Sequence, residues 1–142
     1  MAGLARCVHL WEKCKAGDVG GVIEAIEGGG DPNYSHLLTT CLMVAAEKGH
    51  VGVVEELLRQ PGIRVNDTDH PFGSTALHEA CEWGHAGVVR LLVGHPGVDT
   101  QVRDNEGETP LEVAESPNEM VTDREGHTEC ARILRAQVAA IY

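Results

Sequence analysis

The chain has 142 residues, of which 42% are hydrophobic but only 4% aromatic. Its length fits one domain spanning residues 1–142, and a core of small aliphatic side chains favours layers of short helices over a sandwich with aromatic anchors. The formal net charge of −11 repels phosphate, so nucleic acid and anionic membrane surfaces are disfavoured as ligands. Two interpretations of this charge stay open: solvated helix surface, or attraction for a basic partner.

Cysteine usage and the N-terminal segment point to a reducing compartment. The five cysteines are widely spaced, and no Cys-x-x-Cys pair occurs. Trp11-Glu12-Lys13 interrupts the apolar character that a signal peptide needs. No stretch approaches the roughly 18 apolar residues of a membrane helix. We therefore expect free thiols and a location in the cytoplasm or the nucleus.

The first two predicted units share the order helix, glycine turn, helix, Gly/Pro break. In the unit at about residues 4–35, a helical segment at Leu10–Cys14 precedes the turn Gly17-Asp18, and the glycines at 28–30 end the second helix. The unit at about 36–68 repeats this order around Gly49-His50. Its second helix carries apolar residues at helical spacing and ends near Pro61.

The third and fourth units, at about residues 69–103 and 104–138, turn at Gly84-His85 and Gly126-His127. The four turn glycines are separated by 32, 35 and 42 residues. The spacing of 42 residues predicts an insertion of about eight residues within Ser116–Glu125, in an exposed loop. This loop is either a second contact element or extra length that the fold tolerates at little cost. Each unit is too short to bury its own apolar face, so neighbouring units must stack.

Residues 73–92 read GSTALHEACEWGHAGVVRLL, which closely resembles the ankyrin-repeat pattern G-x-T-P-L-H-x-A-A-x-x-G-H-x-x-V-V-x-L-L. The fourth unit supplies Thr109-Pro110-Leu111, and the second supplies Ala45-Ala46 before Gly49-His50. Over residues 8–138 the chain is therefore identified as a member of the ankyrin-repeat family. The resemblance implies an all-α solenoid of about four helix-turn-helix repeats with short hairpin connectors.

The histidines and cysteines have structural explanations. His50, His78, His85 and His127 recur once per unit or match the family pattern, and the resemblance implies that they hydrogen-bond backbone groups in the turns. The spacing of Cys7, His9 and Cys14 fits no usual zinc site. Cys14 and Cys81 stand at small-residue core positions, so we predict buried thiols and no bound metal.

Catalytic and cofactor motifs are missing from the sequence. No Gly-x-Ser-x-Gly occurs, and the triple glycine at 28–30 precedes Asp31-Pro32, not the lysine of a phosphate-binding loop. A short solenoid also has a shallow groove that does not exclude water. We therefore predict that the protein is not an enzyme and needs no cofactor.

The resemblance implies a binding surface made of the connector tips and the exposed positions of each first helix. Trp83 and Phe72 stand out there, because large aromatic side chains anchor many interfaces. We expect them to form one apolar patch rimmed by Glu47, Glu79, Glu82 and Glu112. The predicted partner-binding residues are Leu37, Glu47, Lys48, His70, Phe72, Ser74, Glu79, Glu82, Trp83, Arg103, Asn105 and Glu112.

These observations predict a monomeric, non-catalytic interaction module or adaptor. Its partner would be a protein segment with an apolar anchor flanked by Lys or Arg. Two alternatives stay open. In the first, the chain is a structural or regulatory subunit that makes contact through the 116–125 loop. In the second, it is a modification substrate, since Asn33 and Asn66 stand where the family resemblance implies hydroxylation by an asparaginyl hydroxylase.

Overall fold

A computed structural model describes residues 2–116 and 124–141 of the chain. In this part the chain forms a series of helices and one short strand pair. The elements are α1 (Ala2–Ala16), α2 (Val19–Glu27), β1 (Ser35–His36), β2 (Thr39–Thr40), α3 (Cys41–Lys48), α4 (Val51–Leu58), α5 (Ala76–Glu82), α6 (Ala86–Val93), α7 (Pro110–Glu115) and α8 (Glu125–Ile141).

The helices form two layers. The first helices α1, α3, α5 and α7 pack in sequence, as do the second helices α2, α4, α6 and α8, and each first helix also contacts the second helix of its own pair. The core lies between the layers and includes the fully buried side chains of Leu10, Val54, Leu77 and Leu92. Every pair buries its apolar faces against a neighbour, which confirms the predicted helix-turn-helix solenoid.

Threonines determine where the first helices of the last three pairs begin. The hydroxyl groups of Thr40, Thr75 and Thr109 accept hydrogen bonds from backbone N–H groups three residues further on, in the first turns of α3, α5 and α7. Such capping satisfies a donor that a helix start would leave unpaired. It also fixes the register of each first helix relative to the connector before it.

A glycine with positive φ closes the first helix in each of three pairs. Gly17, Gly49 and Gly84 have φ values of 75°, 73° and 71°, a left-handed conformation that disfavours residues with a Cβ atom. A histidine of the following repeat packs its ring against each glycine. The ring Nε2–H then donates to a carbonyl of the preceding repeat: His50 to Lys15 at 3.0 Å, His85 to Glu47 at 2.9 Å, and His127 to Glu82 at 2.7 Å.

His78 links two repeats in a different way. Its ring is 2% exposed, and its Nδ1 accepts a hydrogen bond from the Thr75 N–H at 3.1 Å. Its Nε2–H donates to the Glu108 carbonyl at 2.9 Å. The structural role predicted for the recurrent histidines is confirmed, and the bonds reach between repeats as well as within turns.

The fourth turn was predicted wrongly. Gly126-His127 does not form a helix-breaking turn, because α8 already begins at Glu125 and Gly126 lies in its first helical turn. The helix α8 thus begins before its histidine, whereas α4 and α6 begin directly after His50 and His85. The loop predicted at 116–125 lies largely outside the described residues, apart from exposed Ser116 and Arg124 and the helical Glu125.

The connectors match the hairpin prediction only in part. In the described part of the chain, paired strands occur only in the first connector, where β1 and β2 are antiparallel. The later two connectors are held instead by aspartates: the Asp69 carboxylate accepts from the Ser74 N–H at 2.7 Å, and the Asp104 carboxylate accepts from the N–H groups of Glu106 and Glu108. These turns are compact without a strand ladder.

The tip of the β1–β2 hairpin has an unusual sequence for its backbone. Leu37 and Leu38 have φ values of 49° and 69°, the sign that a two-residue type I′ turn requires and that Asn-Gly normally supplies. Their side chains are 85% and 57% exposed, so little core packing offsets the steric cost.

Replacing this pair should therefore stabilise the fold. We expect Leu37→Asn, Leu38→Gly to raise the free energy of unfolding by about 1 kcal/mol, measured by urea denaturation. Placing Asn-Gly at the helical pair Glu55-Glu56 is the control and should destabilise, since glycine is unfavourable inside a helix. Equal or lower stability of the hairpin variant would show that the leucines are not strained.

Candidate protein-binding groove

A groove of about 710 Å³ opens where the first helices α3, α5 and α7 meet the connectors that precede α5 and α7. It combines aromatic and aliphatic surface with many carboxylates. Its lining residues are Thr39, Met43, Glu47, Asp69, Pro71, Phe72, Ser74, Glu79, Glu82, Trp83, Asp104, Asn105, Glu106, Glu108, Val113 and Ser116.

Helix α5 supplies the centre of the groove. Glu79, Glu82 and Trp83 are spaced three and four residues apart, which places them on one helical face. Trp83 is the residue that ends α5, immediately before the left-handed Gly84. Because the helix stops there, its indole is not covered by a further turn and remains 52% exposed.

The connector before α5 supplies Phe72. Its turn is closed by a hydrogen bond from the Gly73 N–H to the Asp69 carbonyl at 3.1 Å. The Asn105 N–H of the next connector donates to the Phe72 carbonyl at 2.9 Å, and the Asn105 side chain donates to the Pro71 carbonyl. The two connectors therefore hold each other in place, and the Phe72 ring is left 64% exposed.

The electrostatics of the groove are one-sided. Seven carboxylates line it, whereas no lysine, arginine or histidine of the described residues does. Burial raises the pKa of Glu79 to about 7, and repulsion from Glu82, Asp69 and Glu47 adds to this effect. Burial also raises the pKa of Glu82, with further repulsion from Glu106. Such shifts arise where negative charges are crowded and partly removed from water.

Several basic side chains pair with carboxylates that lie outside the groove. Arg59 pairs with Glu55 and Glu56, Arg90 pairs with Glu129, and Arg103 pairs with Glu112. Within residues 2–116 and 124–141, no ion pair involves a carboxylate that lines the groove. The negative charge of the groove is therefore available to an incoming partner.

The structure brings some of the predicted binding residues together and separates the others. Those that line the groove are Glu47, Phe72, Ser74, Glu79, Glu82, Trp83 and Asn105. Those that lie outside it are Leu37, Lys48, His70, Arg103 and Glu112. Of the first set, Ser74 is only 7% exposed and offers little contact area, since it lies directly before the cap of α5.

The structure accounts for the position of four of these excluded residues. Leu37 is at the hairpin tip, and His70 faces a smaller hollow that also contains Leu38 and Arg64. Glu112 was predicted to complete the rim, but its carboxylate turns to Arg103 at 3.4 Å. Glu112 therefore does not line the groove, and its part in binding stays a prediction.

Four acidic groove residues are not among the twelve predicted binding residues: Asp69, Asp104, Glu106 and Glu108. The family resemblance already implied Glu106 and Glu108 as connector positions, whereas Asp69 and Asp104 were missed. All are in connectors, two as the aspartates that close turns and two beside them. The acidic character of residues 104–108 is visible in the sequence, but their convergence with α5 depends on how the repeats stack.

Thiols and metal-binding groups do not contribute to the groove. All five cysteines are free, and Cys14, Cys41, Cys81 and Cys130 are fully buried. Among the described residues, no three His, Cys, Asp or Glu side chains are grouped closely enough to hold a metal ion. The same residues include no helix with the length and hydropathy needed to cross a bilayer.

Asn33 and Asn66 connect adjacent repeats. The Asn33 amide donates to the Gly62 carbonyl and accepts from the Arg64 N–H, at 2.9 and 2.8 Å. Asn66 makes the same two bonds to Gly97 and Asp99. Both carboxamides thus donate one hydrogen bond and accept another across the boundary between repeats.

Comparison with protein families agrees with this architecture. Residues 42–140 match the family described as ankyrin repeats (3 copies). The match covers more than half of the chain, and the chain belongs to the ankyrin-repeat family. Proteins of this family are generally non-catalytic modules for protein–protein interaction. A search of curated proteins found no significant match to the sequence.

Proposed function

We propose that this protein is a non-catalytic interaction module that binds a partner protein through the groove formed by α3, α5, α7 and their connectors. The partner segment places an apolar side chain against Trp83 and Phe72 and basic side chains near the carboxylates. The proposal rests on one observation above all. Two half-exposed aromatic residues lie in a groove whose seven carboxylates have no ion-pair partner among the described residues.

This observation favours recognition over a purely structural role. An exposed tryptophan contributes little to the stability of a repeat but buries a large area when a partner covers it. Unpaired carboxylates repel one another in the free protein, and a cationic partner relieves that repulsion. The long-range part of the attraction should accelerate association and weaken as salt is added.

Truncating the two aromatics should remove partner binding. We expect Trp83→Ala, Phe72→Ala to weaken association at least tenfold, because hot-spot aromatics contribute about 2 kcal/mol or more. The measurement is affinity capture from cell lysate, followed by binding kinetics with the captured partner at low and high ionic strength. Circular dichroism would verify that the helices remain intact.

The matched control is Val51→Ala, which truncates an exposed apolar residue on α4, away from the groove. It should leave capture unchanged. Equal capture by the parent and the double variant, or an association rate that does not fall with added salt, would contradict the groove proposal.

The alternative contact through the 116–125 loop predicts a different result. Deleting part of that loop would abolish capture, whereas the aromatic double variant would retain it. For the hydroxylation alternative, an intact-mass measurement on protein from cells would detect or exclude the added oxygen. Neither alternative is favoured by a contact in the described residues, and the Asn66 carboxamide is already bonded to the next repeat.

A further inference from the structure

The centre of the groove has the features of a subsite for a single cationic side chain. Glu79 and Glu82 lie on one face of α5, and Trp83 follows at the end of the same helix. Glu47 of α3 approaches from the preceding repeat, since its negative charge is among the groups that repel the Glu79 carboxylate. These residues all line the groove, and the Trp83 side chain donates a hydrogen bond to the Glu79 carboxylate.

We propose that this subsite binds an arginine side chain of the partner, with Glu79 as the residue that selects it. The inference rests on the proposed function, because it assigns the chemistry of one contact within the same groove. A guanidinium group offers a planar set of donors that suits several carboxylates at once, and its face can stack on an indole.

Charge complementarity supports this occupant. The charged groups that act on Glu79 are all acidic: Glu47 on α3, Glu82 on α5 itself, and Asp69 on the preceding connector. Asp104 and Glu106 on the following connector act on the neighbouring Glu82, and the Trp83 side chain donates a hydrogen bond to Glu79. In the described ranges 2–116 and 124–141, no basic side chain lines the groove. An anionic or neutral polar occupant would leave this repulsion in place, whereas a cation removes it.

The subsite also couples binding to a proton. Burial and neighbouring charges raise the pKa of Glu79 to about 7, so near neutral pH this carboxyl is partly protonated in the free protein. A bound guanidinium favours the ionised form, and the proton on Glu79 is released to solvent when the cation enters. Affinity for an arginine-containing partner should therefore rise with pH.

The size of this effect follows from the ionised fraction of Glu79. With a pKa of about 7, that fraction rises about tenfold between about pH 6 and about pH 8. The arginine keeps its charge throughout this range. An increase in affinity of about tenfold is thus expected in the parent protein, and Glu79→Gln should remove it.

The experiment begins with selection of random peptides displayed on phage against the folded protein, with elution after competition by free arginine amide. One selected peptide is then synthesised in two forms, with arginine or with the neutral isostere citrulline. Both are titrated by calorimetry into the parent, Glu79→Gln and the control Glu24→Gln. Glu24 is an exposed carboxylate on α2 outside the groove, so its substitution makes the same charge change elsewhere.

The expected result is enrichment of arginine beside apolar residues. We expect the affinity of the citrulline peptide for the parent protein to be at least tenfold lower than that of the arginine peptide. In Glu79→Gln, citrulline should cause little further loss of affinity.

Peptides that bind through Trp83 and Phe72 but respond neither to citrulline nor to Glu79→Gln would overturn the arginine subsite and leave the proposed function standing. Selection that yields no peptide dependent on Trp83 and Phe72 would count against both. Lysine enriched in place of arginine would also overturn the assignment.

Discussion

Gly49→Ala is expected to lower the free energy of unfolding by about 3 kcal/mol, whereas Gly62→Ala should lower it by only about 1 kcal/mol. Both glycines have nearly the same positive φ, 73° and 77°. A Cβ atom at residue 62 would meet nothing within 4 Å, but at residue 49 it would lie 2.6 Å from the His85 ring. The conformational cost is therefore shared, and only Gly49→Ala displaces the histidine.

The larger loss has an identifiable source. When the His85 ring moves, its 2.9 Å hydrogen bond to the Glu47 carbonyl is broken, and a contact between repeats is lost. Breaking such a bond and leaving a partly buried carbonyl unpaired costs about 1–3 kcal/mol. The affected carbonyl belongs to a groove residue, so the turn glycine also helps to hold the groove in shape.

Urea denaturation of the two single variants tests this prediction. A double variant separates the cost of the left-handed backbone from the cost of displacing His85. In a His85→Ala background, Gly49→Ala should cost no more than Gly62→Ala, because the ring that opposes the new Cβ is absent. Equal losses for the two glycine variants in the parent background would show that the histidine contact does not constrain this turn.

Glu79→Gln should stabilise the protein at about pH 8 by about 2 kcal/mol, although Glu79 lies in the proposed binding site. The pKa of this carboxyl rises from 4.5 to about 7 on folding. The folded protein therefore binds more protons than the unfolded chain between these values, and its stability falls as the pH rises through this range. Full conversion of the shift would give about 3 kcal/mol, which partial solvent screening reduces.

The sign of the effect makes the test specific. Below about pH 4.5 the carboxyl is protonated in both states, so the advantage of Glu79→Gln should disappear there and should grow to its full size above about pH 7. Denaturation curves at several pH values would measure it, with Glu24→Gln as the control that follows the parent at every pH. A constant difference between Glu79→Gln and the parent would contradict the assigned titration.

A residue that costs stability and remains in the groove is typical of a binding site. Surfaces that serve a partner often retain charges that the free protein would be more stable without. If Glu79→Gln both stabilises the fold and removes the response to pH in peptide binding, the same carboxylate accounts for both observations. The stability measurement needs no knowledge of the partner.

Much of the fold could be predicted from the sequence because each repeat carries local signals. The threonine caps, the turn glycines at 17, 49 and 84, and the apolar spacing of the second helices each depend on interactions within a few residues. The turn glycines and the helical spacing were predicted and are confirmed by the structure, whereas the threonine caps were first seen there. The failure at Gly126 has the same basis, since a local turn pattern has no information about where an inserted segment allows the next helix to begin.

The sequence by itself therefore determined the repeat architecture and the exposure of Trp83 and Phe72, because positions in a repeated unit have defined surroundings. Only the tertiary structure decided which side chains share the groove. Asp69 and Glu106 come from different connectors and converge on α5, whereas Glu112 turns to Arg103. Which side chains converge depends on how successive repeats stack and on which ion-pair partners compete. Residue spacing in the sequence encodes neither of these.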